Sequence, residues 1–485
     1  MANNQNKKNQ EEVNQNTRPK GISEKPEVVT DADASLIVTN DKKTIAKRTT
    51  VLIAKIVAVF VAVIISFMLG FSAKYAVSDD DYLSFSFIYD TYKRLYYDVK
   101  DTSLPDALVD ALMDRYSDYY TAEEYQTRIN ESMGSREGFG ISFSGLNIYK
   151  ITGNSPAEKS GLKPGGIVTE YKKIGSDSFI AAETSEMLTD FLSSVKANDG
   201  VVMRVKYGEQ IQEYTVKKQD YRETYVYYED LSGQYRFSDD NPNNILMFIK
   251  YGEANLSLGE DWGYIKYTSF YGINNGISGS SKQFTTALDT FFENGRKNLI
   301  IDLRDNGGGY LSILQKLSGV LCRELPEDIK DRYSKNGCQK AVHRTGEDIY
   351  GIDMTDATDK NKVRYAERIE KIVFLANSGS ASASEALIGA VLDYDSFSGA
   401  NCTRVILDAS YENGKQVFKS YGKGIMQSTI TNARTGEALK LTTAKLYWPL
   451  SGKSIHGVGL TPELDERIFA SDGDPVKMAQ TKVFN

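Results

Sequence analysis

Between Lys371 and Tyr394 the chain reads KIVFLANSGSASASEALIGAVLDY, and few folds accommodate that order of residues. Ile372, Val373, Phe374 and Leu375 form an apolar run of the length of a strand buried on both faces, and Asn377, Ser378, Gly379 and Ser380 break it. Ala383, Ala386, Leu387, Ala390 and Val391 then recur at offsets of three and four, which is one face of a helix. Ser382 therefore falls at or near a helix start, where unpaired N–H groups and the positive dipole end stabilise negative charge. Acyl-transfer chemistry needs its nucleophile and oxyanion donors in such a place. Ser382-Ala-Ser-Glu385 is also a capping box, the commoner use of a serine there, so the segment by itself leaves both readings open.

A second segment mirrors the first. Leu299 to Leu303 reads as a buried strand, Asp305-Asn-Gly-Gly-Gly309 as a flexible turn, and Tyr310, Ile313, Leu314, Leu317 and Val320 as the buried face of a helix. The glycines let backbone approach closely and aim N–H groups into a cleft, or simply form a helix entry loop. From about 224 to 466 the whole pattern is α/β.

Upstream the character of the chain changes three times. Residues 1 to 48 are rich in Asn, Gln, Lys, Glu and Thr and hold too little apolar surface to offset the entropy of ordering, so they read as a disordered tail. From Val51 to Phe71 the chain is almost continuously apolar, interrupted only by Lys55 near one end, and is long enough to span a bilayer. Lys42, Lys43, Lys47 and Arg48 precede it and Asp79, Asp80 and Asp81 follow, which keeps the N-terminus cytoplasmic and places everything after the span outside. A cleaved signal peptide is the rival, disfavoured by the length of the tail and of the apolar run. Phe85, Phe87, Ile88, Tyr92 and Leu95, and then Leu108, Leu112 and Tyr116, fit two helical faces, with Pro105 near a helix start. That region is free to pack on the next domain or on a second copy of the chain, as a homo-oligomer would.

Residues 134 to about 220 switch to short alternating segments punctuated by Gly and Pro, the pattern of a small β-rich domain. Gly138, Phe139, Gly140 and Ile141 open it, placing glycines before a strand, where backbone N–H groups can converge on a carboxylate. A short helix follows in SPAEKSGLKPG, with proline near its start and glycine at its end.

Composition narrows the functional classes. With 485 residues, 41% hydrophobic and 25% charged, the chain can bury two or three cores, and a net charge of −7 gives no footprint for nucleic acid. Three cysteines, Cys322, Cys338 and Cys402, show no CxxC spacing, and with only two histidines, His343 and His456, no HExxH is present. Gly452-Lys453-Ser454 lacks the upstream glycine of a phosphate loop, since position 447 is Tyr. No metal or cofactor is expected, and a Ser-His-Asp triad would have only those two histidines to draw on.

The residues also carry a resemblance. GFGI at 138–141 with SPAEKSGLKPG resembles a PDZ domain of the kind found in bacterial proteases, with Gly166 in place of the usual acidic residue. GYIKYTSF at 263–270, LIIDLRDNGGGYL at 299–311, ANSGSASASEALIGAVLDY at 376–394, YGKGIMQ at 421–427 and GVGLTPEL at 457–464 occur in the order seen in carboxyl-terminal processing proteases, also called tail-specific proteases. SDYYTAEEY at 117–125 resembles the segment that precedes their PDZ domain. The resemblance implies Ser382 as nucleophile, Lys423 as general base and Gln427 as its support. It implies oxyanion donors from the backbone of Ala383 and of either Gly308 or Gly309, and a peptide C-terminus received at Gly138–Ile141. Two departures stand out: Gly307 replaces a common proline, and residues 403–420 look like added length between Ser382 and Lys423, with the hairpin signal Asn413-Gly414 inside.

The expectation is thus a multidomain α/β protein with a β-rich PDZ: tail (1–48), single transmembrane helix (49–73), helical region (74–130), PDZ (131–222), crotonase-like α/β serine peptidase (223–470) and C-terminal tail (471–485). It would be a bacterial single-pass membrane endopeptidase acting outside the cytoplasm on proteins with free C-terminal tails. The rivals are a catalytically inactive PDZ tether and a serine esterase or amidase.

Overall fold

The computed structural model describes residues 50–51, 53–66, 88–89, 104–243, 245–273, 276–332 and 337–484, and the chain divides into two compact units, Met1–Asp101 and Thr102–Asn485. In the first, residues 50–51 and 53–66 are helical with exposed side chains, and residues 88 and 89 are helical. Among the described residues no helix is long and apolar enough to cross a membrane. The rest of the apolar run, the tail before it, and Phe85, Phe87, Tyr92 and Leu95 lie outside the described residues.

The second unit is built on an eight-stranded mixed sheet. Trp262–Tyr267, Asn298–Asp302, Lys371–Ala376, Thr403–Leu407 and Ile468–Ala470 are mutually parallel neighbours in that order, and Val226–Asp230, Gly233–Ser238 and Met247–Gly252 extend the sheet antiparallel from Trp262–Tyr267. Asn298–Asp302 is buried at every position and Lys371–Ala376 at all but the first, because helices cover both faces, and their sequences are accordingly continuous apolar runs. Ser280–Glu293, Leu311–Leu321 and Ala383–Ser398 pack into the main core, while Pro475–Thr481 closes a second core with Ile300, Val373, Leu375 and Ile406. The expected C-terminal tail is therefore a helix from residue 475. Asp474 caps it and Val476, Met478 and Ala479 are buried, an apolar face too short to stand out in the sequence.

A five-stranded sheet lies beside this core. Its long strand Ala438–Tyr447 pairs along one edge with Ile425–Thr431 and along the other with Asp118–Tyr120 and Gly337–His343, and Gly346–Gly351 completes it. The helical reading up to residue 130 is thus interrupted. Helix Leu104–Leu112 buries Val109 and leaves Leu112 76% exposed, Tyr116 lies beyond its end, and a strand intervenes before helix Ala122–Ser132. The turn formed by Asp114, whose carboxylate accepts from Tyr116 N and Ser117 Oγ, stops the helix short of Tyr116.

Residues 141–217 form the expected β-rich module with its own core, including Ile148, Val168, Leu188 and Val201. Its antiparallel strands run Ile141–Ser144, Asn147–Ile151, Ile167–Lys173, Gly200–Tyr207 and Gln210–Lys217, so Ile141–Ser144 lies at one end of the sheet path. Ser155 caps the short helix Pro156–Lys159. The glycine at 166 has a steric cause: a Cβ there would lie 2.4 Å from Val205 Cγ1 and 2.6 Å from the Tyr207 ring, so an acidic side chain does not fit.

Candidate active site

Ser382 follows the C-terminal end of the third parallel strand, the end at which open α/β sheets bind ligands. The three serines of the turn separate cleanly. Ser380 is fully buried and donates to Leu303 O at 2.8 Å, and Ser384 is fully buried and donates to Asn306 O at 2.8 Å. Ser382 alone of the three lines the large cleft, of about 1700 Å³, that opens on this side of the molecule.

Its backbone distinguishes it from a cap. Thr121, Ser155 and Thr184 cap their helices from the extended region, each accepting from the N3 amide. Ser382 instead sits at φ 56°, ψ −115°, outside the regions open to an unstrained side chain, and its hydroxyl makes no capping hydrogen bond although it is arranged as in a capping box. The reverse half of the box runs from Ser382 N to Glu385 Oε2 at 2.9 Å.

The glycine turn is tied to the serine turn, and is not the loose loop its composition suggests. Asn306 is fully buried; its carbonyl accepts from Ala381 N at 3.0 Å, its amide donates to Tyr267 O at 2.8 Å, and its Oδ1 accepts from Gly308 N at 3.0 Å. Asp305 and Asn377 join the two turns again, through Asp305 N to Asn377 Oδ1 and Asn377 Nδ2 to Asp305 Oδ1. A Cβ on Gly308 would lie 2.7 Å from Ala381 O and from Ala383 N, so only glycine permits this approach. The Gly308 N–H is thus spent on Asn306. The parallel bridge at Gly309 uses Gly308 O and Tyr310 N with Phe270, leaving the Gly309 N–H on the other side. The N–H of Ala383, the first helical residue, is likewise left over by the helix.

Glu385 connects this turn to the lysine loop. It is fully buried and accepts from Ser420 Oγ at 2.5 Å, Gly422 N at 2.7 Å, Lys423 N at 2.9 Å and Ser382 N. Burial pushes its carboxyl above the ordinary range against the pull of these donors. Tyr421 N donates to Ser380 O at 3.0 Å, and Gly457 N to Gly422 O at 2.9 Å, so the 421–427 and 457–464 motifs close on the serine turn. Of the 403–420 segment read as added length, Thr403–Leu407 is instead a strand of the main sheet and Ser420 reaches Glu385, while Ser410–Glu412 and Lys415–Val417 form a hairpin whose turn residues Asn413 and Gly414 both have positive φ.

Lys423 and Gln427 both line the cleft. Burial, then repulsion from Lys440, holds the Lys423 ammonium below the ordinary lysine range, with Asp114 and Glu385 opposing. Its Nζ lies 4.8 Å from the centre of the Tyr116 ring, and among the described residues no hydrogen bond joins it to Ser382. Gln427 does not hold the amine here. It follows a register shift in strand Ile425–Thr431 and donates to Thr442 Oγ1 at 3.0 Å. Neither histidine lines the cleft, and His343 Nδ1 is 3.1 Å from Thr443 O.

Gly138–Ile141 also lie outside the cleft lining. Phe139 is buried in the β-rich module, its carbonyl accepting from Ala157 N at 3.0 Å, while Gly140 O accepts from Thr152 N at 2.9 Å. The cleft nevertheless runs from Ser382 to that module, where Tyr149, Ile151 and Pro164 line it.

A strained serine at a helix start, beside left-over N–H groups and a lysine kept from its usual basicity, is the arrangement serine-hydrolase chemistry uses. Residues 261–398 match the model of peptidase family S41. A probable CtpA-like serine protease of Staphylococcus saprophyticus is 25% identical over 429 residues, covering 85% of this chain and 71% of that protein. Its counterpart in Staphylococcus epidermidis is 26% identical over 384 residues, with 77% of this chain and 62% of that protein covered. Among solved structures, a photosystem II D1 C-terminal processing protease is 17% identical, with 79% of this chain and 85% of that chain covered and a TM-score of 0.42, too low to bear on the fold. Residues 261–398 thus carry the match to peptidase family S41, and over most of its length the chain is similar to CtpA-like serine proteases.

Proposed function

We propose that the chain is a membrane-anchored endopeptidase that acts outside the cytoplasm and cleaves proteins near their C-termini by a Ser-Lys mechanism. Neutral Lys423 takes the Ser382 proton as Oγ attacks the scissile carbonyl, and the oxyanion is received by the N–H groups of Ala383 and Gly309. Lys423 then gives the proton to the leaving amine, and water attacking with the same base releases the acyl group. To do so the lysine side chain swings from Tyr116 to Ser382, as catalytic contacts often tighten only with substrate bound.

The observation that carries this reading is the strained backbone of Ser382 at the head of the cleft, joined through Glu385 to the lysine loop. An inactive tether would have no use for that strain. The reach of the cleft, from Ser382 to Tyr149, suits a polypeptide better than a small ester. We read 131–222 as a PDZ domain that takes a tail by strand addition along Ile141–Ser144, with the carboxylate at Gly138–Ile141. The apolar run from Val51 is read as the anchor.

The test is digestion of a folded protein carrying an apolar C-terminal tail, with the tail as free acid or amide. The reading expects the acid form to be cut faster. Cleavage independent of the tail's carboxylate would remove the PDZ from it, and no cleavage of either would remove the peptidase.

A further inference from the structure

Lys423 rests on a face that is itself held in place. The Tyr116 ring lies within the range at which an aromatic face attracts a cation. Arg115 Nη2 donates to Tyr116 Oη at 2.8 Å, and that hydroxyl donates to Tyr421 Oη at 3.4 Å. From below, Tyr116 N donates to Asp114 Oδ1 at 3.1 Å, in a turn closed by Ser117 N on Asp114 O at 3.0 Å. The strand that follows, Asp118–Tyr120, pairs with Asp118 opposite Lys440, and Thr429 pairs with the same Lys440 from the other side. The ring is thereby fixed to the sheet that carries the lysine loop into the cleft.

We propose that Tyr116 is the resting seat of Lys423, a positioning residue that holds the ammonium between turnovers and sets the pH at which the base comes free. The proposal rests on reading Lys423 as the base. The charged and titratable groups around that ammonium are Asp114, Arg115 and Tyr116 from the turn, Lys440 from the neighbouring strand, Glu385 from the helix, and Tyr421 from its own loop. Asp114 and Glu385 favour the charged form, as the ring does, and Lys440 and burial oppose it. The Arg115 guanidinium shares the ring, at 4.9 Å from its centre. Loss of the ring therefore frees the neutral amine at lower pH, by about half a pH unit for a partly exposed cation–π contact.

The test measures the Lys423 amine directly in the full chain, by trace acetylation with acetic anhydride across the alkaline range, read by mass spectrometry at that residue. The pH dependence of kcat/KM on the tailed substrate is measured alongside. Tyr116→Leu and Tyr116→Gln, each checked by thermal melt, lower the labelling midpoint and move the rising limb of kcat/KM with it. Tyr116→Phe keeps the ring and restores the wild-type midpoint. A midpoint unmoved in the Leu and Gln variants, or moved as far in Phe as in Leu, overturns the seat. A labelling shift without cleavage by any variant or by wild type upholds the seat and removes Lys423 as a peptidase base.

Discussion

Ser380 and Ser384 show why a run of serines in a turn is not a run of candidate nucleophiles. Each spends its hydroxyl on a carbonyl of the 303–306 segment that also accepts a backbone N–H, so Ser380→Ala or Ser384→Ala removes one buried hydrogen bond and costs roughly 0.5–1.5 kcal/mol. Thermal melts should record that loss while cleavage at low temperature persists. Lys423→Arg should abolish cleavage as fully as Lys423→Ala, because a guanidinium stays charged and takes no proton. For wild type, burial and Lys440 favour the neutral amine, so cleavage should rise with pH through a midpoint below the ordinary 10.5, and a rate falling over that range would contradict a lysine base. At this scale the residues alone placed Ser382 at a helix start after a buried strand, but its role as nucleophile came only by resemblance. Lys423 was likewise legible only by resemblance, since nothing in its own segment marks a base. Asn306 and Tyr116 were missed because their partners, Ala381 and Lys423, are distant in sequence; the only local hint was that SDYYTAEEY accompanies the motifs.

At the scale of elements, the capping box proves to be a joint. Glu385 was read as half of a cap, and its further acceptor contacts to Ser420, Gly422 and Lys423 lie across the inserted hairpin, out of reach of any local pattern. Glu385→Ala would strand several buried donors, at about 3 kcal/mol or more, and release the lysine loop. Cleavage should fall further than in Ser380→Ala at equal folded fraction; equal activity in the two would reduce Glu385 to a packing role. The hairpin tip is the opposite case: Gly414→Ala strains a residue at φ 75° and should cost roughly 1 kcal/mol without changing cleavage. Long apolar runs such as 299–303 and 372–375 were read correctly because a strand buried on both faces has no alternative pattern. The helix from Pro475 and the strand Asp118–Tyr120 were not, since elements this short draw their stability from packing rather than from a period.

At the scale of the whole molecule, the proposed membrane topology rests on the basic residues before Val51 and the aspartates after Phe71. In intact cells an external protease should remove residues beyond Ala76 and spare an N-terminal tag; the reverse pattern would refute the topology. The sheet, the two tied turns and the cleft reaching the β-rich module together make the central claim, a serine endopeptidase that works on protein tails. Intact-mass measurement of a folded, tailed substrate tests it most directly, with wild-type chain set against Ser382→Asn, which preserves a helix-capping side chain but no nucleophile. The account predicts loss of a C-terminal fragment with wild type and an unchanged mass with a Ser382→Asn chain that melts as wild type does; a folded Ser382→Asn chain that still cuts would contradict it.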